Sequence, residues 1–128
     1  HPKFAGYIDN FKAAVSNRVT YIPFGKIPLN ELMMRCSMLI TDYSSVCWDV
    51  YYMDKPVLFY QFDYDMYNQA HGSYINMEND LFGNRSTTED ALLNDVDEKD
   101  RLAAPKYFEY RDNNNSKRIY DFLKNNGF

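Results

Sequence analysis

The residues best suited to chemistry lie between Met38 and Asp49, where a short apolar run ends at Asp42 and two serines follow. Ser44 and Ser45 stand where the next helix is predicted to begin. Unpaired backbone N–H groups and partial positive charge allow a helix start to bind phosphate, and two hydroxyls would add donors. Asp49 lies one helical turn after Ser45 and could accept a hydrogen bond from a ligand hydroxyl. The same residues also fit an ordinary helix cap and turn, so spacing alone leaves both interpretations open.

Further candidates for contact with a ligand are His1 and, more weakly, Asp42, His71 and Arg118. His1 precedes a proline, His71 stands in a predicted loop beside a glycine, and Arg118 is near a turn with two other basic residues. A frayed terminus at His1 is an open alternative. An ordinary loop histidine is the usual case for His71, and charge alone favours a solvated helix cap at Arg118. The histidines and cysteines have no metal-ligand spacing, and there is no glycine-rich phosphate loop, dinucleotide motif or nucleophilic triad. The sequence therefore predicts no cofactor and no metal.

The elements that must position these residues form a strand–helix–strand pattern. Apolar runs at residues 38–41 and 57–60 are typical of buried parallel strands, and residues 46–53 between them have helical spacing. Such a unit predicts an α/β fold with a parallel sheet, in which ligands bind at the carboxyl ends of the strands. Upstream, residues 18–23 favour another strand, and a helix opens at residues 28–31.

The second half of the chain is less regular. Residues 61–84 are aromatic and long enough to favour a functional loop. Ser86 begins a capping-box pattern before a helix. Residues 99–108 favour a helix, and Ser116 is expected to cap a final helix over residues 117–124.

Composition limits the class of protein. The 128 residues are enough for one domain, spanning residues 1–128, and the 12 Tyr and 9 Phe disfavour a disordered chain. A net charge of −4 disfavours a nucleic-acid partner. No apolar run approaches the roughly 18 residues that a membrane span needs. Two cysteines without a disulfide framework favour a reducing cytoplasm, and the start at His1 rather than methionine favours a piece of a longer protein.

The order of these pieces resembles a known family. LITDYSSVCWD at residues 39–49, followed by DKPVLFY at residues 54–60, is similar to the LITDYSSVxFD and (K/R)P(I/V)xFY patterns of the bacterial CDP-glycerol glycerophosphotransferases, the teichoic-acid primases and polymerases. The His-Pro start, STTED at residues 86–90 and the turn at residues 108–118 are weaker likenesses.

The resemblance implies a GT-B-type transferase with two Rossmann-like domains, of which this chain is the C-terminal, donor-nucleotide-binding half. Such enzymes transfer glycerol phosphate from CDP-glycerol, or a related CDP-alcohol, to a growing polymer and release CMP. His1, Ser44 and Ser45 would contact the donor phosphates, and Asp49 a donor hydroxyl. The family's general base is a histidine of the N-terminal half, so no catalytic residue is assigned and the chain alone is expected to be inactive.

The resemblance also places the other partners outside this chain. The polymer acceptor and the membrane would contact the N-terminal half, and the full-length enzyme would be cytoplasmic and peripheral at the inner face of the membrane. HGSY at residues 71–74 replaces the family's frequent Arg-Gly-Phe-Tyr, which leaves the donor's identity open. The alternatives are the donor-binding half of a nucleotide-sugar glycosyltransferase, or a non-catalytic interaction module that uses the many tyrosines.

Overall fold

The computed structural model describes residues 18–73, 75–98 and 107–128. A boundary between Cys36 and Ser37 separates two compact units. In the first unit, helix α1 (Leu29–Arg35) begins directly after Pro28, as predicted. The strand expected over residues 18–23 does not form. β-branched and aromatic residues favour a strand only where a neighbouring strand is available for pairing. The three strands that the structure describes pair with one another and not with residues 18–23.

The second unit contains a parallel sheet of three strands in the order β1-β2-β3, within the described part of the chain. The register pairs Leu39 with Val57, and Phe59 with Arg85. The predicted α/β class with a parallel sheet is therefore confirmed. The strands are β1 (Leu39–Thr41), β2 (Val57–Tyr60) and β3 (Arg85–Ser86).

Within its described residues, the second unit has four helices that accompany this sheet. Helix α2 packs on β1 and β2, and helix α4 packs on β2 and β3. The buried apolar core consists of α2, β2 and the segment before β3, and its members are Cys47, Val50, Tyr51, Val57, Leu58, Phe59 and Phe82. The helices are α2 (Val46–Tyr52), α3 (Tyr64–His71), α4 (Glu89–Asp97) and α5 (Asn115–Asn125).

Several predictions for the second half need correction. The segment expected as a loop contains helix α3, so His71 ends a helix rather than lying in a loop. Ser86 belongs to β3 and does not cap α4; the cap is Thr88, whose hydroxyl accepts from the backbone N–H of Ala91 at 3.3 Å. Helix α5 begins two residues before residue 117, so Ser116 lies inside it. Of the helix expected over residues 99–108, the first eight residues lie outside the described ranges and the last two are not helical.

A close backbone approach fixes the segment that leads into β3. A Cβ atom added at Gly83 would lie 1.9 Å from the carbonyl oxygen of Val57 and 3.4 Å from the ring of Phe59. Only glycine allows this distance between the segment and β2. The approach brings the neighbouring Phe82 against the rings of Trp48 and Tyr51, with centroids 4.6 and 4.2 Å away.

Candidate functional site

A cavity of about 300 Å³ lies beside the segment that joins β1 to α2, here called the 42–45 segment. Asp42, Ser44 and Ser45 form a polar part of its lining. The sequence predicted that the carboxyl end of β1 would hold a site, and the structure brings these three residues together there. An apolar part of the lining faces the same space, and it includes Cys47, Trp48, Phe59, Met77, Leu81 and Phe82.

The two serine side chains are exposed at the start of α2. Ser45 is the residue that precedes the helix, and its hydroxyl makes no capping hydrogen bond. The backbone carbonyls of Ser44 and Ser45 accept instead from Cys47 and Trp48, at 3.2 and 3.1 Å. The ordinary cap interpretation therefore does not describe Ser45, and its hydroxyl is free to meet a ligand.

Asp42 has a mainly local role in the 42–45 segment. Its carboxylate accepts from the backbone N–H of Tyr43 at 2.6 Å, which is the contact of a turn-forming aspartate. Its carbonyl oxygen accepts from the side-chain amide of Gln61 at 3.1 Å. Asp42 thus shapes the segment and places a negative charge at the edge of the cavity.

Tyr43 ties the segment to helix α3. Its hydroxyl donates to Asp63 at 2.9 Å, and its ring stacks on that of Tyr67 with centroids 3.5 Å apart. Burial, and then the hydrogen bond to the Asp63 carboxylate, raise the pKa of Tyr43 far above its ordinary value. The phenol therefore remains a neutral donor across the physiological range, and both rings line the cavity.

A buried polar group lies directly behind the same segment. Gln61 follows β2 and has no exposed surface. Its side-chain oxygen accepts from Arg85 Nε at 2.9 Å, and Arg85 lies 4.2 Å over the ring of Tyr64. Its side-chain nitrogen donates to Asp42 and contacts the sulfur of Met77 at 3.6 Å. Gln61 was not among the site residues predicted from the sequence, although its position directly after a buried strand was the available signal.

Cys47 belongs to the apolar wall rather than to a reactive site. The residue is buried in α2, and burial raises the pKa of its thiol to about 11. A thiol in this state is a poor nucleophile, because the thiolate is the reactive form.

Asp49 and His71 do not belong to the cavity lining. Asp49 is exposed on α2 and is not part of the lining. His71 is exposed at the end of α3 with its ring 5.0 Å from that of Tyr67, and the following Gly72 reaches the lining. His1 lies outside the described residues.

Arg118 is occupied by its neighbours at the start of α5. Its guanidinium makes two hydrogen bonds to the carboxylate of Asp112, at 2.8 and 2.6 Å, and lies 3.8 Å over the ring of Tyr110. The hydrogen bonds from Arg118 hold the pKa of Asp112 well below its usual range. The arrangement is a local clamp, and an anion at Arg118 would have to compete with Asp112.

Among residues 18–73, 75–98 and 107–128, no three His, Cys, Asp or Glu side chains come together as metal ligands. The helices of that same part of the chain are all too short or too polar to cross a membrane.

Comparison with known proteins identifies the family. The family described as CDP-Glycerol:Poly(glycerophosphate) glycerophosphotransferase matches residues 1–125. The chain belongs to this family. This membership confirms the resemblance inferred from the LITDYSS stretch. The matched range includes the residues that line the cavity and those of the buried core.

Curated relatives of this family member are proteins of teichoic acid synthesis. It is 30% identical over 102 residues to the teichoic acid glycerol-phosphate primase of Bacillus subtilis, which is 76% of this chain and 27% of the primase. It is 32% identical over 141 residues to the minor teichoic acid biosynthesis protein GgaB of Bacillus subtilis, which is 96% of this chain and 14% of GgaB. The chain therefore spans 27% of the length of the primase and 14% of the length of GgaB.

A solved structure shows the same fold. The wall teichoic acid polymerase TagF superposes with a TM-score of 0.62 at 23% identity, over 92% of this chain and 33% of the polymerase chain. The parallel sheet and its helices are therefore shared with part of that polymerase.

Proposed function

We propose that this chain is the C-terminal, donor-binding half of a GT-B-type glycerophosphotransferase, and that the cavity beside the 42–45 segment receives the diphosphate of a CDP-alcohol. The observation that carries the proposal is the joint placement of Ser44 and Ser45 at the cavity, with exposed hydroxyls and no capping bond at Ser45. Membership of the family supports it, because these serines belong to the stretch that carries the family resemblance.

The proposed chemistry is positioning and charge stabilisation. Two hydroxyls donate to phosphate oxygens, and donors fixed in place before the reaction stabilise the charge that shifts during phosphoryl transfer. His1 would contribute a further phosphate contact, and Asp49, one turn beyond Ser45, would accept from a donor hydroxyl outside the cavity. The general base would come from the N-terminal half, so the isolated chain would bind the donor without turnover.

In the full-length enzyme, the proposed reaction moves glycerol phosphate from CDP-glycerol to a growing teichoic-acid or capsule-like polymer and releases CMP. The acceptor and the membrane would meet the part of the enzyme outside this chain, at the inner face of the bacterial cell membrane.

A CDP-ribitol donor is the second candidate. The chain is 32% identical over 71 residues to the teichoic acid poly(ribitol-phosphate) polymerase of Bacillus spizizenii, which is 56% of this chain. The two candidates share the diphosphate site and differ only in the alcohol.

The single tryptophan provides the test, because Trp48 lines the cavity and reports its occupancy by fluorescence. We expect CDP-glycerol or CDP-ribitol to change the emission in a saturable manner and to outcompete UDP-glucose. The double variant Ser44→Ala, Ser45→Ala removes two hydrogen bonds to a charged group and should weaken binding at least about tenfold. The control is Ser116→Ala, an exposed serine inside α5. Equal binding by the double variant and the control, or stronger binding of UDP-glucose, would contradict the proposal.

A further inference from the structure

We propose that Gln61 is a positioning residue that holds the 42–45 segment in the geometry that receives the donor phosphates. The inference rests on the proposed function of the cavity and adds a residue that does not touch the ligand. It concerns a side chain behind the serines rather than the serines themselves.

The contacts of Gln61 join three parts of the fold. Its side-chain nitrogen donates to the carbonyl of Asp42 at 3.1 Å, one residue past the end of β1. The same nitrogen contacts the sulfur of Met77, in the cavity wall, at 3.6 Å. Its side-chain oxygen accepts from Arg85 in β3 at 2.9 Å. One side chain therefore links the 42–45 segment, the cavity wall and the third strand.

The direction of the amide follows from its partners. The Arg85 guanidinium can only donate, so it faces the amide oxygen and leaves the amide nitrogen for the carbonyl of Asp42. The position of Arg85 over the ring of Tyr64 at 4.2 Å holds this donor in place. Gln61 thus has a defined orientation, which a freely rotating amide would lack.

Burial makes this arrangement specific. Gln61 is 0% exposed, and a buried amide is unfavourable unless its groups are paired. An apolar residue at this position would satisfy the core, but the carbonyl of Asp42 would lose the hydrogen bond that Gln61 donates. A fully paired buried network favours one arrangement of the groups that it connects, and one of those groups, the carbonyl of Asp42, lies two residues before Ser44 in the chain.

Two substitutions separate the contacts. Gln61→Met keeps the approximate volume and removes every hydrogen bond. Gln61→Glu keeps an acceptor for Arg85 and loses the donor to Asp42. We expect both variants to weaken CDP-glycerol binding about fivefold or more in the Trp48 titration, and to shift the backbone amide resonances of Tyr43 and Ser44 in the absence of ligand. The matched control is Ser86→Ala, since Ser86 is 1% exposed and its hydroxyl donates to Asp95 in α4, not to the 42–45 segment.

Each result decides between positioning and general stability. Weakened binding in both Gln61 variants, with Ser86→Ala close to wild type, supports the inference. Unchanged binding in the Gln61 variants, retained binding in Gln61→Glu alone, or equal weakening in Ser86→Ala overturns it while the proposed function stands. If the wild-type chain does not respond to CDP-glycerol, the proposed function fails and the inference fails with it.

Discussion

Replacing Gly83 with alanine should strongly destabilise the chain, because the new methyl group has no space. The added Cβ would lie 1.9 Å from the carbonyl oxygen and 2.9 Å from the carbonyl carbon of Val57, both backbone atoms of β2. The first distance is about 1 Å too short for real Cβ contacts. Val57 is 3% exposed in the core, so the strand or the segment must move. Overpacking of this kind costs roughly 1–3 kcal/mol or more, and we expect about 3 kcal/mol.

Urea denaturation followed by circular dichroism measures this loss, and the midpoint of thermal unfolding should fall by roughly 10 °C. Gly127→Ala is the control, because a Cβ there meets nothing within 4 Å and only the positive φ of 80° opposes it. Its cost should stay near 1 kcal/mol. If Gly83→Ala costs no more than the control, the close approach between Gly83 and β2 is wrong.

Two more predictions concern single groups. The pKa of the Cys47 thiol is raised to about 11, so iodoacetamide at neutral pH should label Cys47 only after denaturation, as read by mass spectrometry. Since the pKa of this thiol is higher in the folded than in the unfolded chain, its contribution to stability is complete below about pH 9 and is lost as pH rises through 11. The variant Cys47→Ala should therefore lose less stability than the wild type between these pH values. An equal loss in both proteins would contradict the raised pKa of Cys47. Thr88→Ala removes the side-chain cap of α4 and should cost about 1 kcal/mol in urea denaturation, whereas Thr87→Ala, beside it, should cost little.

The sequence predicted the part of the fold that surrounds the site. The two apolar runs became β1 and β2, and the helix between them begins at Val46 as expected, because a buried strand, a polar turn and an amphipathic helix each have a strong local pattern. The same patterns placed Asp42, Ser44 and Ser45 at the end of β1, where the structure has them beside the cavity.

The parts that local pattern does not determine were missed. Apart from its two tyrosines, Met66 and Ala70 are the only apolar residues among the eight of helix α3, so its sequence shows no clear apolar periodicity. Ser86 and Thr88 are both acceptable caps by residue type, and tertiary burial of Ser86 in β3 decides between them. The role of Gln61 depends on Asp42 and Arg85, which are 19 and 24 residues away, and no local rule predicts such a contact.

A two-dimensional NMR titration of the labelled chain with CDP-glycerol, with CMP and UDP-glucose as comparators, would show directly where the donor binds. We expect the cytidine ligands to shift the backbone amides of Ser44 and Ser45 most strongly, followed by the indole of Trp48. We expect smaller shifts with UDP-glucose and none at residues of α5. Shifts spread evenly over the surface, or no shift at Ser44 and Ser45 at saturating CDP-glycerol, would contradict the assignment of this cavity as the donor site.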